Sequence, residues 1–168
     1  PEILDGAHRT ARRHRLTVAV SEIGAVALAR GRTWVEDTLD RRPLAVVPVL
    51  SEVTAEQALQ LSGRGIPLVA IDPAGEPAAD VPAVAAANRS GGHRAAQHLI
   101  ALGHRRIALF AGPRHLACAR AREDGYRAAM GAAGLPTEDL IRYGAFTHDT
   151  SVDQATALLS GPRPPTAV

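Results

Sequence analysis

The chain has 168 residues, 46% of them apolar, and its 19 basic side chains are all arginine, set against 17 carboxylates for a formal net charge of +2. This size and apolar content predict a globular protein of one domain or two small lobes, and the near balance of charge gives no indication of a nucleic-acid-binding surface. A single cysteine, Cys118, excludes an internal disulfide and argues against a structural zinc site, and no apolar run approaches the roughly 20 residues of a membrane helix.

In the first half of the chain, apolar residues at helical spacing alternate with short apolar runs. Helices are predicted around residues 3–11, 35–39 and 55–62, and strands at residues 16–20, 44–50 and 67–71, with Pro48 interrupting the second strand. A loop rich in Pro, Ala and Gly follows at residues 73–82, and residues 81–87 are predicted to form a short extended segment. We place a boundary between two lobes near Ala86.

The second half of the chain continues the alternation. A helix capped by Asn88 or Ser90 is predicted to end at Gly103, and the apolar residues 107–111 form a strand that is buried on both faces. A second helix is predicted from Arg120 to Gly134. Its stripe of small residues, Ala121, Gly125, Ala128 and Ala132, is expected to pack closely on the sheet. A strand at 140–143, a helix at 152–159 and the start of a strand at 166–168 complete the chain.

Strands that alternate with helices over short loops predict an α/β fold with doubly wound parallel sheets. Such a sheet does not tolerate the loss of a central strand, because its neighbours would keep unpaired backbone groups. The chain begins on a predicted helix and ends at the opening of a predicted strand. We therefore expect the fold to be truncated at both ends.

Three motifs together resemble the effector-binding core of the lac repressor (LacI/GalR) family. They are Asn-Arg-Ser-Gly-Gly from Asn88, the run from His98 to Pro113 that contains Leu-Gly-His-Arg-Arg-Ile-Ala-Leu-Phe-Ala-Gly-Pro, and Arg-Ala-Arg-Glu-Asp-Gly-Tyr-Arg from Arg120. The resemblance implies a two-lobed, type I periplasmic-binding-protein-like fold. Residues 1–86 would form the N-terminal lobe without its first strand, and residues 87–168 the C-terminal lobe without its C-terminal part.

The same resemblance implies a function. The chain would be the ligand-sensing domain of a DNA-binding transcriptional repressor, binding a sugar or a nucleoside-like effector between the lobes, with no cofactor and no metal. Operator DNA would be bound only through a helix-turn-helix absent from this chain, and a homodimer in the cytoplasm, away from membranes, is expected. The alternative is a periplasmic sugar-binding receptor for transport or chemotaxis, which shares the two-lobed fold and which a signal peptide upstream would indicate.

Five residues are carried over from the family as ligand contacts: Asp72, Leu116, Cys118, Arg122 and Phe146. Asp72 would accept sugar hydroxyls, or it simply starts an Asp-Pro turn. Arg122 would present its guanidinium to effector oxygens, or it is a solvated residue that pairs with Glu123. Phe146 would stack on a sugar face or a base. Leu116 and Cys118 follow the strand of the second lobe, and Cys118 is either a pocket residue or a small buried one.

The chain also departs from the family pattern. Ala87 stands where many members carry an aspartate before Asn88, and Leu116 replaces a frequent polar residue. Both departures remove hydrogen-bonding groups and argue against a highly hydroxylated ligand. Asn88, His98, Gly103 and His104 match the family signature and are interpreted as structural, with His104 expected to satisfy carbonyls at a helix end.

An enzyme is not predicted. No glycine-rich nucleotide fingerprint follows a strand, no Gly-x-Ser-x-Gly elbow is present, and the chain has no lysine for phosphate or Schiff-base chemistry. A nucleotide-dependent α/β transferase would need a catalytic constellation outside these residues.

Overall fold

A computed structural model of the chain describes residues 2–22, 33–78 and 80–168. The chain divides into two compact units, Pro1–Arg42 and Pro43–Val168. None of the helices in the described part of the chain has both the length and the apolar character needed to cross a membrane.

The described residues of the first unit form two of the helices expected from the sequence, α1 (Glu2–Arg13) and α2 (Trp34–Arg41). Acidic residues in the first turn of α1 and basic residues in its last turn complement the helix dipole, but none of its residues is buried. The start of α2 is fixed by a capping box, in which the Thr33 hydroxyl accepts from the Glu36 amide and the Glu36 carboxylate accepts from the Thr33 amide. Val35 supplies the buried side chain of this helix.

The strand predicted at residues 16–20 is not formed. Within the described residues, this segment has a turn bond from the Leu16 amide to the Ala11 carbonyl but no ladder bonds to another strand. Leu16, Val18 and Val20 stand at alternate positions and supply strand propensity, yet a strand also requires a hydrogen-bonded neighbour, which the sequence pattern alone does not provide. This prediction was wrong for the chain as described.

The second unit opens with a small parallel sheet. Strand β1 (Ala70–Ile71) pairs with β2 (Ala83–Val84), with Ala70 opposite Ala83. On the other side of β1, single parallel bridges join Val46 to Leu68 and Val49 to Ile71. The predicted strand at 44–50 is therefore reduced to two bridges on either side of Pro48, which lacks an N–H to donate but accepts from the Ile71 amide. Helix α3 (Ala55–Ser62), which a Thr54 capping box begins, lies between these segments in sequence.

A second parallel sheet follows in the same unit, built from β3 (Leu109–Phe110), β4 (Ile141–Arg142) and a bridge between Ile107 and Ala167. Three helices connect these segments: α4 (Asn88–Ala101), α5 (Ala117–Ala132) and α6 (His148–Leu159). Parallel pairing and the order of elements agree with the predicted α/β fold. The core of this region combines Ala96 of α4 and Ile107 with three side chains of α5, Tyr126, Ala129 and Met130.

Helices α4 and α5 approach each other backbone to backbone. A Cβ atom added at Gly92 would collide with the carbonyl of Arg122, and one added at Gly125 would collide with the backbone of Arg89 and His93. The small-residue stripe was predicted to pack closely on the sheet. Gly125 does make a close contact, but its partner is α4 rather than the sheet. Ala128 and Ala132 of that stripe are exposed, because the larger Tyr126 and Met130 occupy the face that packs on the strands.

The helix ends follow the predicted glycines but not the predicted caps. Gly103 and Gly134 both have positive φ, as expected after a helix C-terminus. At the start of α4, however, the N-cap residue is Ala87, and neither Asn88 nor Ser90 caps the helix. His104 also differs from expectation: its Nδ1 bonds to the Thr166 hydroxyl at 3.0 Å, and the Arg105 guanidinium donates to the Ile100 carbonyl instead.

Candidate functional site

Asp72 lies at the carboxyl end of β1, with a left-handed φ of 43°. Its Oδ1 atom accepts from the Ala86 amide at 3.1 Å and from the Asn88 side-chain Nδ2 at 3.4 Å. An aspartate that only started a turn would instead bond to its own backbone two residues on. The carboxylate therefore ties the end of β1 to the segment that leads into α4.

Asn88 continues this chain of contacts to Arg122. The Arg122 Nε donates to Asn88 Oδ1 at 2.8 Å. The expected alternative, a pair between Arg122 and its neighbour Glu123, is absent from the described hydrogen bonds and ion pairs. Glu123 Oε1 instead accepts from Arg127 Nε and from the Tyr143 hydroxyl, both at 2.8 Å. Sequence reasoning treated Asn88 as a helix cap and missed this bridge.

Phe146 lies against the same arginine. The Arg122 guanidinium carbon is 5.7 Å from the ring centroid, within the range of a cation–π contact. The ring packs directly over Gly112, where any Cβ would collide with it. Because Gly112 also has a φ of 81°, both the space and the backbone conformation favour glycine at this position. About half of Phe146 is exposed, at 52%, so the ring remains accessible.

A cavity of about 800 Å³ adjoins this cluster. Its walls come from the end of β1 and the loop that follows it, from β2 and the segment after it, from the first turns of α4, and from α5. Most of the lining is small and apolar, and the main polar groups are Asp72, Glu76, Asn88, Arg89, Ser90 and His93. Cys118, 6% exposed, lines the cavity and is both buried and a pocket residue. Leu116, Arg122 and Phe146 lie outside the lining; Leu116 is the half-buried N-cap residue of α5.

A second polar cluster connects α5 to Arg114 and Tyr143. The Arg114 guanidinium carbon lies 3.6 Å from the centroid of the Tyr143 ring, and the Tyr143 hydroxyl donates to Glu123. The hydrogen bond that Arg127 donates to the Glu123 carboxylate raises the pKa of Arg127, which also donates to the Thr137 hydroxyl at 3.0 Å. These contacts fix the loop after β3 and the end of β4 against α5.

Within residues 2–22, 33–78 and 80–168, no three His, Cys, Asp or Glu side chains are grouped closely enough to hold a metal ion.

The fold agrees with one family of proteins. The family described as periplasmic binding proteins and the sugar-binding domain of the LacI family matches residues 2–168. The chain belongs to this family, which confirms the resemblance and the fold class predicted from the motifs.

Individual relatives are transcriptional regulators. The chain is 43% identical over 101 residues to the HTH-type transcriptional regulator CelR of Thermobifida fusca, covering 59% of the chain and 30% of that protein. It is similar to a solved CelR–cellobiose complex, with a TM-score of 0.62 and 31% identity over 80% of the chain and 46% of that one. A LacI transcriptional regulator from a Rhodococcus species matches 98% of the chain and 60% of its own length, with a TM-score of 0.81 and 26% identity. The chain thus spans less than two thirds of each of these proteins.

Proposed function

We propose that this chain is the ligand-sensing part of a transcriptional regulator, and that Asp72, Arg122 and Phe146 receive a small-molecule effector. One observation carries this proposal: these residues, far apart in sequence, are joined by the Asp72–Asn88–Arg122 hydrogen bonds and the contact between Arg122 and Phe146. A carboxylate, a guanidinium and an accessible ring are together suited to a molecule that has hydroxyl groups and an apolar face. Cys118 would contribute to the apolar wall, and Leu116 would act only through the start of α5.

A sugar is the effector class we infer. The solved relative named above is a complex with cellobiose, and pyranose rings offer the hydroxyls and the apolar face that this cluster matches. A nucleoside-like effector is the second candidate, supported by the Phe146 ring, on which a base can stack. The small apolar lining of the cavity favours a ligand with few hydroxyl groups directed into that space.

The whole protein would respond to its effector by a shift between two arrangements of two lobes, 1–86 and 87–168. An effector that contacts Asp72 on one side and Arg122 on the other favours whichever arrangement lets it touch both. The regulator would act as a homodimer in the cytoplasm and bind operator DNA through a helix-turn-helix outside these 168 residues. The names of the relatives favour such a regulator over a periplasmic receptor. No catalytic step is proposed.

Ligand-dependent stabilisation tests this proposal. The protein would be titrated with cellobiose, ribose and a purine nucleoside, following its thermal midpoint and the heat of binding. A ligand that binds only the folded state adds about 2.7 kcal/mol of stability at a concentration of one hundred times its Kd. Binding by one class and not the others would identify the effector class. The absence of binding by all three, in a protein that melts cooperatively, would refute the proposal.

A further inference from the structure

The first residue of α4, Asn88, is neither a helix cap nor a free surface residue. Its side-chain oxygen accepts from Arg122 Nε at 2.8 Å and its side-chain nitrogen lies 3.4 Å from Asp72 Oδ1. We propose that Asn88 is a positioning residue that holds Asp72 and Arg122 in the geometry that receives the effector. This inference rests on the function proposed above and adds the residue that sets the geometry of its site.

The chemistry of the side chain explains why an amide is suited to this position. One end of an asparagine amide only accepts hydrogen bonds and the other end only donates. Arg122 needs an acceptor and Asp72 needs a donor, so the amide satisfies both in a single orientation without adding charge. An aspartate at position 88 would place a second negative charge beside Asp72, and a lysine would place a second positive charge beside Arg122.

The bridge also determines which atoms remain available to a ligand. It uses Nε of Arg122 and Oδ1 of Asp72, which also accepts from the Ala86 amide. In the described part of the chain, no protein group hydrogen-bonds to the terminal nitrogens of Arg122 or to Oδ2 of Asp72. An effector can therefore accept from Arg122 and donate to Asp72 while the bridge stays intact.

The bridge can be tested without any effector. Nitrogen-15 NMR of arginine side chains would detect the Nε–H of Arg122, assigned by its disappearance in Arg122→Lys. In the wild-type protein this proton should exchange slowly, and in Asn88→Leu, of similar size, and in Asn88→Ala its slow exchange should be lost. Gln97→Leu, on an exposed position of the same helix, makes the same amide-to-leucine change away from the bridge and should keep the signal. A protected Arg122 Nε–H in both Asn88 variants would overturn the proposal.

A second measurement separates positioning from a merely structural role through its pH dependence. In Asn88→Asp, two carboxylates would share the space beside Arg122, which raises the pKa of one of the pair. Cellobiose is the probe, measured by calorimetry at pH 7.5 and pH 5. We expect binding to weaken on the order of tenfold at pH 7.5 and to recover towards the wild-type value at pH 5, where one shared proton restores a donor and an acceptor.

The control for this experiment accounts for the other charges near the bridge. Asp72 and Arg122 face position 88 directly, and Glu76, Arg89 and His93 line the adjoining cavity. The comparison is therefore the ratio of variant to wild-type affinity at each pH, with Gln97→Leu as the reference. An equal loss at both pH values would mean that Asn88 acts only through folding and would overturn the proposal. If the wild-type protein does not bind cellobiose, cellobiose is excluded as the effector, and the Arg122 signal still decides the role of Asn88.

Discussion

At the scale of single residues, the side chains of the site differ in how firmly their neighbours hold them. Arg122 is an exposed residue, yet its guanidinium is held by one hydrogen bond and one ring contact. Phe146 is fixed by the glycine beneath it. These contacts limit the number of rotamers that an effector would have to freeze, which reduces the entropy lost on binding.

Replacing Arg122 by alanine should weaken effector binding by about 1–3 kcal/mol, the range for the loss of a charge-assisted hydrogen bond. The measurement is the Kd for whichever sugar stabilises the wild-type protein. Arg94→Ala, at an exposed position of α4, provides a matched loss of charge and should leave the affinity unchanged. If both variants bind as the wild-type protein does, Arg122 has no part in the site.

Tyr126 offers a test of the core that does not depend on any ligand. Its hydroxyl donates to the buried Ile107 carbonyl at 2.8 Å, so Tyr126→Phe leaves an acceptor unpaired and should destabilise the fold by about 1–2 kcal/mol at pH 8. Urea denaturation would measure the difference.

The same tyrosine predicts a pH dependence. Burial raises the pKa of Tyr126 from 10.0 to about 12, with Arg127 and Arg106 partly opposing the increase. Because the unfolded chain loses this proton first as the pH rises, the folded state loses stability between the unfolded and the folded pKa. The advantage of the wild-type protein over Tyr126→Phe should therefore shrink from pH 8 to pH 11. A difference that stays constant would show that the hydroxyl ionises equally in both states.

Candidate site residues could be selected from their chemistry and position in the sequence, but their contacts with distant residues could not be predicted. An arginine near the start of a helix and an aspartate at a strand end both indicated a polar site. The role of Asn88 was hidden, because the same residue before two glycines also suits a helix cap. Only the fold brings Asp72 and Arg122 to the two ends of the Asn88 side-chain amide.

At the scale of elements, the crossing of α4 and α5 depends on glycines that have no Cβ. Gly125→Ala would push a methyl group into the backbone of α4 and should destabilise the protein by about 1–3 kcal/mol, as overpacked sites do. Gly131→Ala, in the same helix but with nothing within 4 Å of the new Cβ, should instead stabilise it by about 0.5–1 kcal/mol. Thermal or urea unfolding of the two variants would measure the contrast, and equal effects would contradict the close approach.

Helices were easier to predict than strands. The six helices of the described chain were each predicted from apolar spacing, because a helix satisfies its own backbone. Strand pairing depends on a neighbour, and the described strands extend over only two residues each. The bridges around Pro48 and the unpaired segment at residues 16–20 show that strand propensity does not ensure a ladder.

At the scale of the whole molecule, the two compact units have very different cores. Among the described residues of Pro1–Arg42, Val35 is the buried side chain, and α1 buries none. In Pro43–Val168, α5 alone buries six residues. Stability is therefore concentrated in the second unit.

Amide hydrogen exchange should reveal this difference. In the 168-residue chain, amides of α1 should exchange at least about a hundredfold faster than those of α5, since local opening is easiest where few side chains are buried. Peptide-level mass spectrometry would compare the two helices in one sample. Similar protection in both helices would mean that side chains of α1 are buried by contacts other than those described above.

The contact between α4 and α5 has a consequence for any switching of the molecule. Asn88 and Arg122 belong to two helices whose main chains touch, with no side chain between them to compress or rotate. Such close backbone packing favours movement of the two helices as one body. A displacement of the strand end that carries Asp72 relative to this helix pair would therefore lengthen the 3.4 Å contact between Asp72 and Asn88.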